Sequence, residues 1–303
     1  MSLNKSNIDI ASYTWNPITG CRIGCPYCYA RKIAEKNQTL FLEPKSFLSK
    51  GYEINEHKGI PFPYGFTPTL HPYRLKEPLD EKDSRFIFVC SMGDLFDISF
   101  PDDYRREIFQ IMEKAYWHTF MIITKNPKEM KRFINDYGQK RIPKNLWIGV
   151  TAENQTKAKQ RIPILLSIPD INCFVIFEPL TGPIDLKIFV DLKTNNHIKY
   201  IILGGMTGKE SPPINPEWVR RIRDICLKNN IGFNFKQWGE WDSERNLKNI
   251  YDNNELIGIK KYIFDNGEIM YKVGKYNTTR LLDGKEHRDK IIFLGKSRQE
   301  SLF

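Results

Sequence analysis

The chain has 303 residues, 41% of them hydrophobic and 27% charged, enough apolar material to bury a sizeable core in one large domain or one domain with an appendage. Its 46 Lys and Arg against 36 Asp and Glu leave a formal net charge of +10, which makes a polyanionic partner an expectation. No stretch approaches the roughly 20 apolar residues of a membrane span, and MSLNKSNIDI lacks the apolar run of a signal peptide, so a cytoplasmic protein is expected and a membrane-bound one is not.

In chain order, IASYTW (10–15) reads as a first strand, followed directly by the cysteine segment CRIGCPYC (21–28). Residues 38–85 contain PFPYGFTPTLHPYRLKEP, rich in proline and aromatics and too irregular for a regular element throughout; they read as an insertion over the mouth of the domain. From residue 86 one unit recurs, a short apolar run followed by a segment of helical spacing. The strands are FIFVCS (86–91), TFMIITK (119–125), LWIGVTA (146–152), CFVIFEP (173–179), KYIILGG (199–205) and GFNFKQW (232–238). The helices are 102–116, 127–137, 154–167 and 216–229, three of them opened by Pro101-Asp102, Asn126-Pro127 and Asn215-Pro216. This rhythm predicts an α/β fold, a partial or near-complete (β/α) barrel of six to seven parallel strands over residues 1–238, with its site at the strand C-termini. Residues 239–303 lose the alternation and read as a C-terminal appendage with a hairpin around Asn266-Gly267.

Three of the six cysteines, Cys21, Cys25 and Cys28, are packed as C-x3-C-x2-C, whereas Cys90, Cys173 and Cys226 are scattered among apolar segments. In a reducing compartment a metal site explains the first three better than disulfides do. Three thiolates can hold three irons of a [4Fe–4S] cluster and leave the fourth open to a ligand. The competing reading is a structural zinc site, which wants four ligands; the sequence has no second cysteine pair, and only His57 or His71 stands as a candidate fourth.

Other residues suggest a site without fixing it. Lys125, Glu178 and Lys236 end three of the expected strands and would project into one mouth as a charged, catalytic set, or else solvate its rim. GGMTGK (204–209) offers backbone amides at Gly204 and Gly205 to a cofactor or substrate, without the spacing of a P-loop. His71 and Arg74 of LHPYRL are candidates to cap a substrate or phosphate, and Gln237, Trp238 and Trp241 to bind and stack a nucleobase, or to seal the barrel. Basic groups at Arg105-Arg106, Lys125/Lys128/Lys131/Arg132 and Arg220-Arg221/Arg223 are open both to nucleic acid and to solvent.

C-x3-C-x2-C after the first strand of a βα barrel, with Tyr27 just before the last cysteine, resembles the signature of the radical S-adenosylmethionine superfamily. The rest of the chain, from TWNPITGC through FVCSMGDLF, WIGVTAEN, IFEPLTGPI, ILGGMTG and FKQWG to RLLDGKEH, is similar to a phage-associated radical-SAM-like group known as a domain of unknown function. That group often has a longer gap between its first two cysteines than the three residues found here. The resemblance implies a [4Fe–4S] cluster on Cys21, Cys25 and Cys28, S-adenosylmethionine chelated to its open iron, and reductive cleavage to a 5′-deoxyadenosyl radical, with an external donor of the flavodoxin or ferredoxin kind supplying the electron. It also implies that Ser91, Gly93 and Asp94 of SMGDLF meet the cofactor's amino group and that Glu153 and Asn154 of TAEN meet its ribose. Gly93 read by itself marks a tight turn, and Asn154 a helix N-cap. The substrate class this leaves open includes a nucleotide, DNA or RNA. A non-catalytic, metal-containing nucleic-acid-binding protein is the rival reading.

Overall fold

Apolar runs with no polar alternation form strands here because both of their faces are buried. In the computed structural model, which describes residues 3–5, 11–37, 42–194, 196–248 and 256–289, six such runs are strands. They are β3 (Phe86–Val89), β4 (Thr119–Thr124), β5 (Leu146–Thr151), β6 (Asn172–Phe177), β7 (Ile198–Gly204) and β8 (Gly232–Gln237), preceded by β1 (Asn4–Lys5) and β2 (Tyr13–Trp15). Residue 10, the start of the expected first strand, lies outside the described residues. The eight strands form one sheet in chain order, β1 to β8. The pairs β2/β3, β3/β4, β6/β7 and β7/β8 are parallel, with Thr14 opposite Phe88 and Ile201 opposite Phe233, while β1 joins β2 antiparallel. The expected α/β class is therefore present as a large, mostly parallel sheet.

The helices begin where the sequence supplies caps. The side chains of Asn126, Asn154 and Asn215 accept the backbone N–H groups of Glu129, Lys157 and Glu217, and Pro127 and Pro216 occupy first-turn positions that need no N–H partner. They open α4 (Pro127–Tyr137), α5 (Gln155–Leu166) and α6 (Pro216–Lys228). The helix α3 (Asp102–Lys114) carries Asp102 and Asp103 in its first turn, which favours its positive end. Before them, α1 (Tyr29–Lys36) starts at Cys28, and the single turn α2 (Phe47–Lys50) lies in the expected insertion. No helix of the described residues is long and apolar enough to cross a membrane.

The described residues fall into two compact units, one drawn from Met1–Gly149 with Ile168–Asn172, the other from Val150–Ser167 with Cys173–Ile291. In the first, Phe109, Phe133 and Tyr137 stack between α3 and α4, and the buried Trp15 of β2 donates its indole N–H to Arg74 O at 2.8 Å. The insertion gives two strands, Glu53–Ile54 and Thr69–Leu70, to a small sheet completed by Ile18–Thr19, the residues that lead into Cys21. Residues 38–41 of that insertion are outside the described range. In the second unit Phe174, Phe177, Leu203, Phe233 and Phe235 of the strands and Ile162, Leu166, Val219 and Ile222 of the helices are buried. The hairpin expected around Asn266-Gly267 is formed by β10 (Lys261–Ile263) and β11 (Ile269–Tyr271), next to β9 (Asp242–Ser243).

Candidate metal and cofactor site

In the first unit the cysteine loop is fixed by contacts made with its flanks. Gly20 has φ +78°, and a Cβ on it would lie 2.5 Å from Thr67 O; its N–H donates to Met92 O at 2.8 Å. Gly93 approaches so closely that a Cβ there would stand 2.8 Å from Gly20 O. The two glycines thus let residues 91–94 lie directly against the strand entering Cys21. Arg22 N donates to Asp97 Oδ2 at 2.6 Å, and the Tyr29 hydroxyl donates to Ser91 O at 2.6 Å. Asn16 Oδ1 accepts from both Ser91 Oγ and Met92 N at 3.1 Å. Neither Asn16 nor Asp97 is conspicuous in the sequence; each acts through backbone far along the chain.

Cys21, Cys25 and Cys28 are half-buried free thiols. Cys21 and Cys28, with Met92, pack on one apolar cluster of Ala30, Ala34, Phe62 and Phe66. Cys28 N donates to Cys25 O at 3.2 Å to close the turn, and Cys28 Sγ accepts Arg31 N at 3.3 Å as the N-cap of α1. Burial pushes the Cys21 thiol up to about 12, so its thiolate needs a cation close by. Among the described residues no three His, Cys, Asp or Glu side chains already gather as ligands of a metal ion. By donor type, three thiols on one short loop suit iron–sulfur ligation. A fourth, zinc-completing ligand from His71 is excluded by its hydrogen bonds. Asn55 Oδ1 accepts His57 N, so Asn55 Nδ2 donates to His71 Nδ1 (3.1 Å) and His71 Nε2 donates to Thr19 Oγ1 (2.9 Å). Desolvation first, and the Arg74 charge second, hold this imidazole well below its ordinary value, and both ring nitrogens are engaged.

The other residues expected at the site in this unit have definite places. Asp94 is buried, with Oδ1 accepting from Phe96 N and Thr124 Oγ1 and Oδ2 from Lys125 N, so it ties the end of β3 to the end of β4. Lys125 Nζ lies 5.0 Å from the Tyr27 ring, which places a predicted catalytic lysine over the cysteine loop. Arg74 Nη1 donates to Asn16 O at 3.2 Å and His71 N to Pro17 O at 2.8 Å; these two residues, expected to cap a substrate, brace the chain before Cys21.

In the second unit three expected residues do meet. Lys236 Nζ donates to both oxygens of Glu178, at 2.8 and 2.9 Å, and Gln237 Nε2 donates to Glu178 Oε1 at 3.1 Å and Gly205 O at 2.9 Å. Those two acceptors fix the amide orientation and leave Gln237 Oε1 enclosed without a donor among the described residues. Gly204 and Gly205 are glycines for space: a Cβ on Gly204 would be 3.0 Å from Glu178 Oε1, and on Gly205 2.1 Å from Trp238 O. Glu153 is buried in an ion pair with Arg161 (3.1 Å), whose Nη1 also donates to Thr151 O, while Asn154 caps α5. Trp238 and Trp241 are buried, their indoles donating to Leu281 O and Ser211 O at 2.9 Å, which fits the sealing alternative better than base stacking.

A family model described as "Protein of unknown function (DUF5131)" matches residues 5–290. The chain belongs to the DUF5131 family. No curated protein matches this DUF5131 chain. Among solved structures it is similar to spore photoproduct lyase complexed with dinucleoside spore photoproduct, at 10% identity and a TM-score of 0.47, over 89% of this chain and 71% of that one. It is also similar to a double mutant of that lyase with bound AdoMet and dinucleoside spore photoproduct, at 9% identity and a TM-score of 0.43, over 89% and 71% of the two chains.

Two of the three basic groups of the DUF5131 chain face carboxylates. Arg105 pairs with Asp102 and Glu129, and Arg106 with Asp136. Arg132, from the second group, also pairs with Asp102 and Glu129. Arg220 and Arg223 share Asp283, Arg220 also meets Glu268, and Arg221 pairs with Glu217. Arg105, Arg106, Arg132, Arg220 and Arg223 thus join different elements, while Arg221 pairs within its own helix, and the charge of all six is met by carboxylates.

Proposed function

We propose that this chain is a radical S-adenosylmethionine enzyme built on a partial (β/α) barrel, with residues 1–238 as its catalytic part, 38–85 as an insertion and 239–303 as an appendage. The observation that carries the reading is the C-x3-C-x2-C loop after β2, braced on both flanks, with Cys21 and Cys28 on a common apolar cluster and Cys28 capping α1. Cys21, Cys25 and Cys28 would hold a [4Fe–4S] cluster. Bound together, the cluster and S-adenosylmethionine supply one-electron reductive cleavage of the cofactor and hydrogen-atom abstraction from a substrate.

The chain's own residues orient and enclose. Ser91 and Gly93, fixed by Asn16 and by the Gly20 contact, present a rigid backbone beside the cysteines, and Lys125 holds a positive charge over Tyr27. Glu153, Asn154, Gly204 and Gly205 remain our candidates for cofactor contacts. Glu178, Lys236 and Gln237 form a polar set in which Gln237 Oε1 can accept an N–H or O–H from a ligand. The substrate we propose is a nucleotide or nucleic acid, on the support of the excess positive charge; an external one-electron donor and a cytoplasmic location complete the reading.

The test is anaerobic reconstitution with iron and sulfide counted, followed by dithionite, S-adenosylmethionine and chromatography for 5′-deoxyadenosine. About four irons per chain, and cleavage lost in each of Cys21→Ala, Cys25→Ala and Cys28→Ala, is the expected result. About one zinc per chain and no 5′-deoxyadenosine refutes it in favour of a binding protein with a structural metal.

A further inference from the structure

Burying a large apolar side chain is worth about 1.5–3 kcal/mol, so several exposed on neighbouring segments offer a surface for a partner. Leu48 is 94% exposed, Ile98 69% and Ile23 37%. They belong to three segments that meet beside the cysteine loop. Arg22 N is bonded to Asp97 Oδ2, the Arg22 guanidinium lies 6.0 Å from the Phe47 ring, and Gly51, directly after α2, packs with its Cβ position 3.7 Å from Ser99 Cα.

Charge in these segments, 22–23, 46–53 and 97–99, is divided by direction. Their two carboxylates turn inward and are buried: Glu53 Oε1 accepts Ser46 N and Phe47 N at 2.6 and 2.5 Å, and Asp97 accepts Arg22 N and Ser99 N at 2.6 and 2.9 Å. Their two cations, Arg22 and Lys50, are exposed. The exposed large or charged side chains of these segments are thus apolar or cationic, complementary to a partner that offers apolar contact beside carboxylates. Arg22 and Ile23 lie between Cys21 and Cys25, so whatever sits on them stands next to the thiols.

We propose that the face formed by Arg22, Ile23, Leu48, Lys50 and Ile98 is the docking site of an acidic one-electron carrier protein that reduces the group held by Cys21, Cys25 and Cys28. This rests on the reading of the cysteines above. In the transfer the carrier is oxidised by one electron and the cysteine-bound group is reduced by one; no covalent bond changes. Docking through this face also accounts for a leucine that stands 94% exposed on a one-turn helix.

The experiment uses the full, anaerobically reconstituted chain and a flavodoxin as the acidic probe, with binding followed by flavin fluorescence anisotropy at several salt concentrations. Leu48→Asp/Ile98→Asp and Lys50→Glu are all changes at exposed side chains. The wild type should bind with an affinity that falls as salt rises, and each variant should bind roughly tenfold or more weakly. Dithionite-driven 5′-deoxyadenosine formation, which needs no docking, should stay within about twofold of wild type in every variant. Equal binding by the variants, no binding by the wild type, or displacement of flavodoxin by a single-stranded oligonucleotide overturns the proposal. A wild type that binds flavodoxin through this face yet yields no 5′-deoxyadenosine with dithionite supports the docking face and refutes the radical chemistry, so the two failures are told apart.

Discussion

Replacing Arg105 by methionine tests how the cysteine loop is held from behind. The guanidinium is buried, with Nε donating to Leu95 O at 2.9 Å, Nη2 to Asp97 O at 2.5 Å, and Nη1 to Asp102 Oδ1 and Glu129 Oε1 at 2.5 and 2.8 Å. Its removal strips two carbonyls of a charged donor, each such bond being worth about 1.5–3 kcal/mol, so about 3–6 kcal/mol is at stake. Asp102 and Glu129 keep Arg132, at 2.8 and 2.7 Å, and are not left as unpaired buried charges. The buried methionine returns roughly 1–2 kcal/mol, for a net loss of about 1–5 kcal/mol. At about 2–4 °C per kcal/mol for a unit of 150–250 residues, the thermal midpoint should fall by about 2–20 °C. Because Asp97 also holds Arg22 N, reconstituted Arg105→Met should release iron faster than wild type in the presence of a chelator. Arg105→Lys should fall between the two, since an ammonium cannot reproduce the five-donor fork. A midpoint shift of less than about 2 °C with wild-type iron retention would show that the 95–97 turn stands without this arginine.

Three further outcomes are expected. Burial, opposed by the Arg74 charge, raises the Glu77 carboxyl from 4.5 to about 7, so the folded chain binds this proton more tightly than the unfolded one. Stability from this group is full below pH 4.5, falls as pH rises towards 7 and is level above it. Glu77→Gln should therefore gain about 2–3 kcal/mol over wild type at pH 8 and nothing near pH 4, read from urea midpoints at both pH values. Lys236→Met leaves Glu178 without its ammonium and should cost about 1–2 kcal/mol, much of it recovered in Lys236→Met/Glu178→Gln; additive losses in the double-mutant cycle would deny the pair any coupling. Gly205→Ala brings a Cβ within 2.1 Å of the Trp238 carbonyl, a backbone atom with little room to move, and should lose at least about 3 kcal/mol or fail to fold, whereas a wild-type melting curve would contradict the packing of Gly205 against Trp238.

What the sequence discloses depends on whether a residue's partner is local. Strand cores and helix starts depend on neighbours within a few positions, and α4 begins and ends where the pattern places it, at 127 and 137. The strand β1 escapes notice because Asn4 and Lys5 are polar and exposed, and only pairing with β2 makes them a strand. Glu178 and Lys236 are legible as strand-end charges, and β6 and β8, each parallel to the β7 that lies between them, bring such ends to one level. Lys125, read as the third of that set, lies over the Tyr27 ring. His71 and Arg74 look like ligand-binding residues because their partners, Thr19 and Asn16, are more than fifty positions away. Arg105, Arg220 and Arg223 look like a phosphate surface for the same reason: the carboxylates of Glu129, Glu268 and Asp283 belong to other elements.

The bonds that hold the flanks of the cysteine loop are made by its backbone and by the Tyr29 hydroxyl. Gly20 N, Arg22 N and the Tyr29 hydroxyl are held by Met92 O, Asp97 and Ser91 O, and residues 91–97 are in turn held by Asn16, by the ties of Asp94 to β4 and by Arg105. With its flanks held in this way, the loop is partly ordered by folding, which lowers the entropy left to surrender when the thiols gather on a metal. The same construction explains why glycine stands at both 20 and 93. Only two segments without Cβ atoms can approach closely enough for the backbone between β3 and α3 to serve as the floor of the loop. The fold therefore commits a close backbone contact, in which neither glycine can be replaced without displacing its neighbour, to the position of Cys21.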